Sequence, residues 1–134
     1  MGVEVSVACP PGYEPDRAIQ EVARALGGRF QITPDAGSAA EGADALYTDV
    51  WTSMGQEVER AARLEAFRPY QVNERLLALA KPTAVVMHCL PAHRGEEITD
   101  GVLDGPRSVV LDQSENRLHV QKAILLTLLE ASDG

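Results

Sequence analysis

Residues 85–97 read VVMHCLPAHRGEE, from Val85 to Glu97. Three apolar residues run without a break into two imidazoles, a thiol, a guanidinium and two carboxylates. The apolar half, Ala84 to Cys89, reads as a buried strand, and the polar half as the loop at its carboxyl end. A parallel α/β sheet holds its ligands outside the carboxyl ends of its strands. This stretch therefore sets two questions, whether such a sheet is present and whether the loop is the lip of a site.

The flanking sequence answers the first. Val3 to Ala8 alternates as a strand does, and Pro10-Pro11-Gly12 breaks it. Pro15 suits the first turn of a helix whose apolar face is Ile19, Val22, Ala23 and Leu26, closed by Gly27-Gly28. Phe30 to Ile32 is a second strand and Ala36 to Glu41 a small helix ended by Gly42. Ala45 to Trp51 is a third strand. Ser53-Met54-Gly55-Gln56 then turns into a helix from Glu57 to about Phe67, and Ser53-x-x-Gln56 has the capping-box pattern. Asn73 is placed to cap Glu74–Ala80. Beyond the quoted stretch come a short helix, Ile98–Leu103, with Thr99 as its cap, a last strand, Ser108–Leu111, and a long helix from about Glu115 to Glu130. Alternating strands and helices predict the α/β class. The expected form is a three-layer, mostly parallel sheet with helices on both faces, in one domain over 1–134.

Bulk composition narrows the function. The 134 residues are 45% apolar with a net charge of -8, which argues against nucleic acid, since phosphate contacts need a basic surface. No apolar run approaches a membrane span, and the first residues lack a secretory pattern. Two cysteines, Cys9 and Cys89, are too few for a disulfide framework and form no C-x-x-C pair, so a reducing, cytoplasmic setting is expected. From Ala123 onward the last helix is apolar nearly all round, which predicts a covering partner.

Three stretches, TDVWTSMG (48–55), HCLPAHRGEE (88–97) and DQSENRLHVQKA (112–123), resemble ornithine carbamoyltransferase, and the resemblance runs along the whole chain in order. It implies a Rossmann-like, ornithine-binding domain lacking the family domain's first strand and helix. The carbamoyl-phosphate domain, with its Ser-Thr-Arg-Thr-Arg segment, is not in the 134 residues, so the isolated chain is expected to be inactive. The implied reaction moves the carbamoyl group of carbamoyl phosphate to the δ-amine of L-ornithine, giving citrulline and phosphate in arginine biosynthesis or urea-cycle-type metabolism. No metal or organic cofactor is implied. The implied partners are the N-terminal domain and further copies, as a trimer or a multiple of one.

The resemblance also assigns residues. Asp49, Ser53 and Met54 would hold ornithine. Cys89, Leu90 and Arg117 would serve the carbamoyl group of carbamoyl phosphate, and Cys89, Asp49 and Arg117 would be catalytic. The Leu90–Pro91 bond would be cis. Each residue also has a plainer reading: Asp49 bonding local backbone, Ser53 as a helix cap, Met54 as core filling, Cys89 as a small hydrophobe. A cation at a helix N-terminus opposes the dipole, so placing Arg117 in a first turn suggests use rather than stability. Cys9 reads as core. Zinc on His88, Cys89 and His93 is not expected, because adjacent strand residues point to opposite faces. A cysteine hydrolase with His93 as base, a non-catalytic module of the same fold, and a carbamoyltransferase for an amine such as N-acetylornithine are the alternatives.

Overall fold

Short polar side chains set where the helices begin. Asp16 accepts from the Ala18 N–H at 2.7 Å and opens α1 (Arg17–Ala25). Asp35 accepts from Gly37 and Ser38 and opens α2 (Ala36–Ala40). Asn73 accepts from Leu76 at 3.0 Å and opens α4 (Glu74–Leu77). Each cap satisfies amides that the first turn leaves without a helical partner. The computed structural model describes residues 2–52 and 59–132. The other elements are β1 (Glu4–Ala8), β2 (Arg29–Thr33), β3 (Ala45–Thr48), α3 (Arg60–Phe67), a 3-10 turn (Arg68–Tyr70), β4 (Val85–His88), α5 (Asp100–Leu103) and α6 (Val110–Ser132).

Both strand pairings are parallel. β1 pairs with β2 in the register Glu4 to Arg29, and β3 pairs with β4 in the register Ala45 to Val85. Among the described residues these are two separate two-stranded sheets. Parallel strands joined by helical crossovers confirm the α/β class.

The core gathers on β4. Val86, Ala84 and Ile98 are fully buried, with Leu46, Val72, Leu77, Val102, Leu103 and Val110 around them. Ile98 reaches this core through a strap. The Val72 amide donates to the Glu97 carbonyl at 2.8 Å, and the Thr99 amide returns to the Val72 carbonyl at 3.1 Å. Burying a side chain of this size contributes roughly 2–3 kcal/mol. The strap and the buried Ile98 fix the far end of the loop that opens after β4.

Four sequence expectations are corrected. Ser108–Leu111 is no strand: a single bridge joins Ser108 to Val86, and α6 starts at Val110. The reason is that the His88 amide, which a longer strand would engage, is taken by the Gln113 side chain at 3.0 Å. Because α6 starts at Val110 rather than near Glu115, Arg117 lies two turns inside it, and the dipole argument for Arg117 lapses. Pro15 precedes the Asp16 cap instead of lying in the first turn. Thr99 holds the cap position of α5, but its hydroxyl donates to Glu74 at 3.2 Å. The start of the helix expected from Glu57, with the Ser53–Gln56 box, lies outside the described residues.

Two apolar surfaces stay open. On α1 and at its C-cap, Ile19, Val22 and Leu26 are exposed, so its predicted inner face packs on little of this chain. On α6, Leu118, Ile124, Leu125, Leu126, Leu128 and Leu129 are all more than half exposed. Among the described residues no helix is long and apolar enough to cross a membrane.

Candidate functional site

β3 and β4 run side by side, so Asp49 and Cys89, each one residue past its strand, emerge together. The Cys89 thiol donates to Asp49 Oδ1 at 2.9 Å, and the Val50 amide donates to the same oxygen at 2.7 Å. Burial pushes the Cys89 thiol up, and the hydrogen bond and negative charge of Asp49 push it further. A thiol so placed keeps its proton at neutral pH and serves as a donor rather than as a thiolate nucleophile.

Behind this pair the chain is held by His88, whose side chain is fully buried. The Leu90 amide donates to His88 Nδ1 at 2.8 Å, so Nε2 carries the proton that faces Glu97 Oε1 at 3.0 Å. The same carboxylate oxygen accepts from the His93 amide at 2.6 Å. Glu97 thus ties both ends of the 88–97 loop into the core. Leu90 has φ +54° and a cis bond to Pro91. The left-handed conformation costs a leucine about 1–2 kcal/mol, and the hydrogen bond to His88 offsets part of it. The chain bends at Leu90 and leaves the thiol partly exposed.

Two further side chains enter. Gln113, on the first turns of α6, holds the His88 amide. The Tyr47 phenol is pushed up, by burial first and then by neighbouring Cys89 and Asp49. Glu97, Gln113 and Tyr47 were not singled out from sequence. Glu97 had a signal, a carboxylate immediately before a buried isoleucine.

Of the sequence-predicted residues, Asp49, Cys89 and Leu90 come together. Arg117 is exposed on α6 with no hydrogen-bond or ion-pair partner among the described residues. Ser53 and Met54 lie outside the described residues. Cys9 is buried, as expected of core. Arg94 is occupied by Asp100 and Asp104, with contacts of 2.6–2.9 Å, and is not free to meet a ligand.

The argument that His88 and Cys89 must face apart does not hold. The strand ends at His88, and donor atoms of Asp49, His88 and Cys89 lie within 4.8 Å of one another. Both ring nitrogens of His88 nevertheless have partners already. The hydrolase arrangement finds no support either, since the thiol's partner is Asp49 and the His93 ring faces Glu96 at 3.8 Å.

Comparison with known proteins bears on what this arrangement belongs to. The ornithine carbamoyltransferase of Methanosarcina acetivorans is 58% identical over 129 residues, covering 96% of this chain and 43% of that protein. The structure of ornithine carbamoyltransferase from Pyrococcus furiosus superposes with a TM-score of 0.84 at 55% identity, over 92% of this chain and 41% of that one. That of the anabolic enzyme from Campylobacter jejuni gives 0.88 at 31% identity, over 96% and 44%. The chain therefore spans less than half the length of the relatives it matches. Residues 1–128 match the family model described as aspartate/ornithine carbamoyltransferase, Asp/Orn binding domain. The chain belongs to that family, through a match to its Asp/Orn binding domain over residues 1–128.

Proposed function

We propose that this chain supplies the ornithine-holding half of an ornithine carbamoyltransferase. In this reading Asp49, Ser53 and Met54 hold the amino acid, while Cys89, the Leu90 carbonyl and Arg117 serve the carbamoyl group. The observation that carries it is the Cys89–Asp49 hydrogen bond at the mouth of two parallel strands. The neutral δ-amine attacks the carbonyl carbon of carbamoyl phosphate, the new C–N bond forms, and the C–O bond to phosphate breaks. The nitrogen then sheds a proton. A carboxylate beside a protonated thiol suits that sequence. Asp49 attracts the cationic amino acid and can accept a proton, and Cys89 donates a hydrogen bond to a group gaining negative charge. The carbamoyl phosphate itself would be gripped by a domain outside these 134 residues, in an assembly of several copies.

The test is citrulline formation from L-ornithine and carbamoyl phosphate. The chain is assayed alone and mixed with the separately made N-terminal half of the Pyrococcus furiosus relative. Activity confined to the mixture, and lowered by Cys89→Ser, is the expected result. A mixture that reassembles yet turns over equally well with Cys89→Ser would make the chain a scaffold. A mixture that prefers N-acetylornithine would change the substrate and leave the site in place.

A further inference from the structure

We propose that His93, Glu96 and Glu97 form a binding site for a divalent cation of the first transition row, a cluster separate from the Asp49–Cys89 pair. Glu97 is fully buried, and its Oε1 takes two N–H donors, from His88 and His93. Its Oε2 is buried with no hydrogen-bond partner among the described residues. Glu96 repeats the pattern. Its Oε1 is paired with Arg60, and its Oε2 is buried without a hydrogen-bond partner.

A buried carboxylate oxygen left unpaired is costly, and such groups in folded proteins have a partner. Here two of them occur together, and a ring nitrogen stands beside them. His93 Nδ1 is 3.8 Å from Glu96 Oε2, and one donor atom from each of the three residues lies within 4.8 Å of the other two. Metal–ligand bonds of about 2.0–2.2 Å put neighbouring donors roughly 3–3.6 Å apart. The half-exposed His93 side chain has room to rotate toward the carboxylates. One imidazole with two carboxylates suits Zn2+, Mn2+ or Fe2+ and leaves positions for water. The hydrogen bonds on the two Oε1 atoms orient the carboxylates as outer-shell partners do.

The cation would act on the neighbouring site through Glu97. It would hold the carboxylate that holds His88, and His88 in turn fixes the Leu90 amide next to Cys89. It would take no part in the chemistry.

The test is titration of the purified chain with Mn2+, with free Mn2+ read by electron paramagnetic resonance. One ion bound per chain is expected. His93→Ala and Glu96→Gln should each weaken binding at least about tenfold, and Cys89→Ser should leave it unchanged. Circular dichroism checks that each variant is folded; should Glu96→Gln unfold, His93→Ala, at an exposed position, carries the comparison. No ion retained at millimolar Mn2+, or binding that survives both His93→Ala and Glu96→Gln, would overturn the proposal. So would binding lost with Cys89→Ser alone, which would place the ion on Asp49, His88 and Cys89.

Discussion

The segment from β3 to the start of α6 and the two ends of the chain follow different rules. Among the described residues most of the core side chains lie between Ala45 and Val110, although Tyr47 and Leu79 are exposed, and nearly every polar group at the β3 and β4 termini has a partner: Asp49 with Cys89, His88 with Glu97, Leu90 with His88. At the ends, α1 and, beyond Val110, α6 carry large apolar residues that are mostly exposed. The lesson is that the site depends on only part of the chain. Ile98 and Val86 hold it from beneath, while α6 adds Gln113 and then runs clear. Stability and site geometry should therefore respond strongly to changes in the first region and weakly to changes in the second.

The sharpest break would come from turnover. In the reassembled enzyme Asp49→Asn should lower citrulline formation by about 10²–10⁴-fold, the usual scale for losing a positioned acid–base group. A loss under threefold would mean that Asp49 only holds the Val50 amide. Next comes Ile98→Ala, which empties a fully buried site and should destabilise the chain by about 3 kcal/mol in urea unfolding. A loss below 1 kcal/mol would show that the core is not where the strap puts it. Asn73→Ala removes the cap on α4 and should cost about 1 kcal/mol. The smallest effect is expected from Leu126→Ala on α6, within about 0.5 kcal/mol, as for an exposed position. A large loss there would mean that α6 is already covered in the chain as purified, and the contrast between the two regions would fail.

The sequence was most legible where one element decides its own form. Alternation at Val3–Ala8, the Asn73 cap and the apolar run Val85–Met87 each state a local preference, and each element is found. Ser108–Leu111 misled because Val109-Val110-Leu111 fits a strand and a buried helix start equally well. What decides is a long-range contact, Gln113 to the His88 amide. In the site, the loops after β3 and β4 and the strand-end Cys89 were legible from the sequence, but the roles of Asp49, Cys89 and Leu90 came only through resemblance to a family. Glu97 and Tyr47 were missed for a related reason. Their roles come from parallel pairing and from the way the loop after β4 folds back on Glu97, which no spacing rule expresses.

The central claim is that the segment from β3 to α6 by itself brings Asp49 against a protonated Cys89 thiol. The most direct measurement is the ultraviolet absorbance titration of the thiolate in a Cys9→Ala background, with and without Asp49→Asn. Burial comes first among the causes and Asp49 second. The Cys89 thiol should therefore ionise above the ordinary cysteine range of about 8.5. Asp49→Asn should bring it part of the way down, leaving the share due to burial. An ordinary midpoint, unmoved by Asp49→Asn, would mean that the two groups do not meet in this chain, and the site as described would not exist.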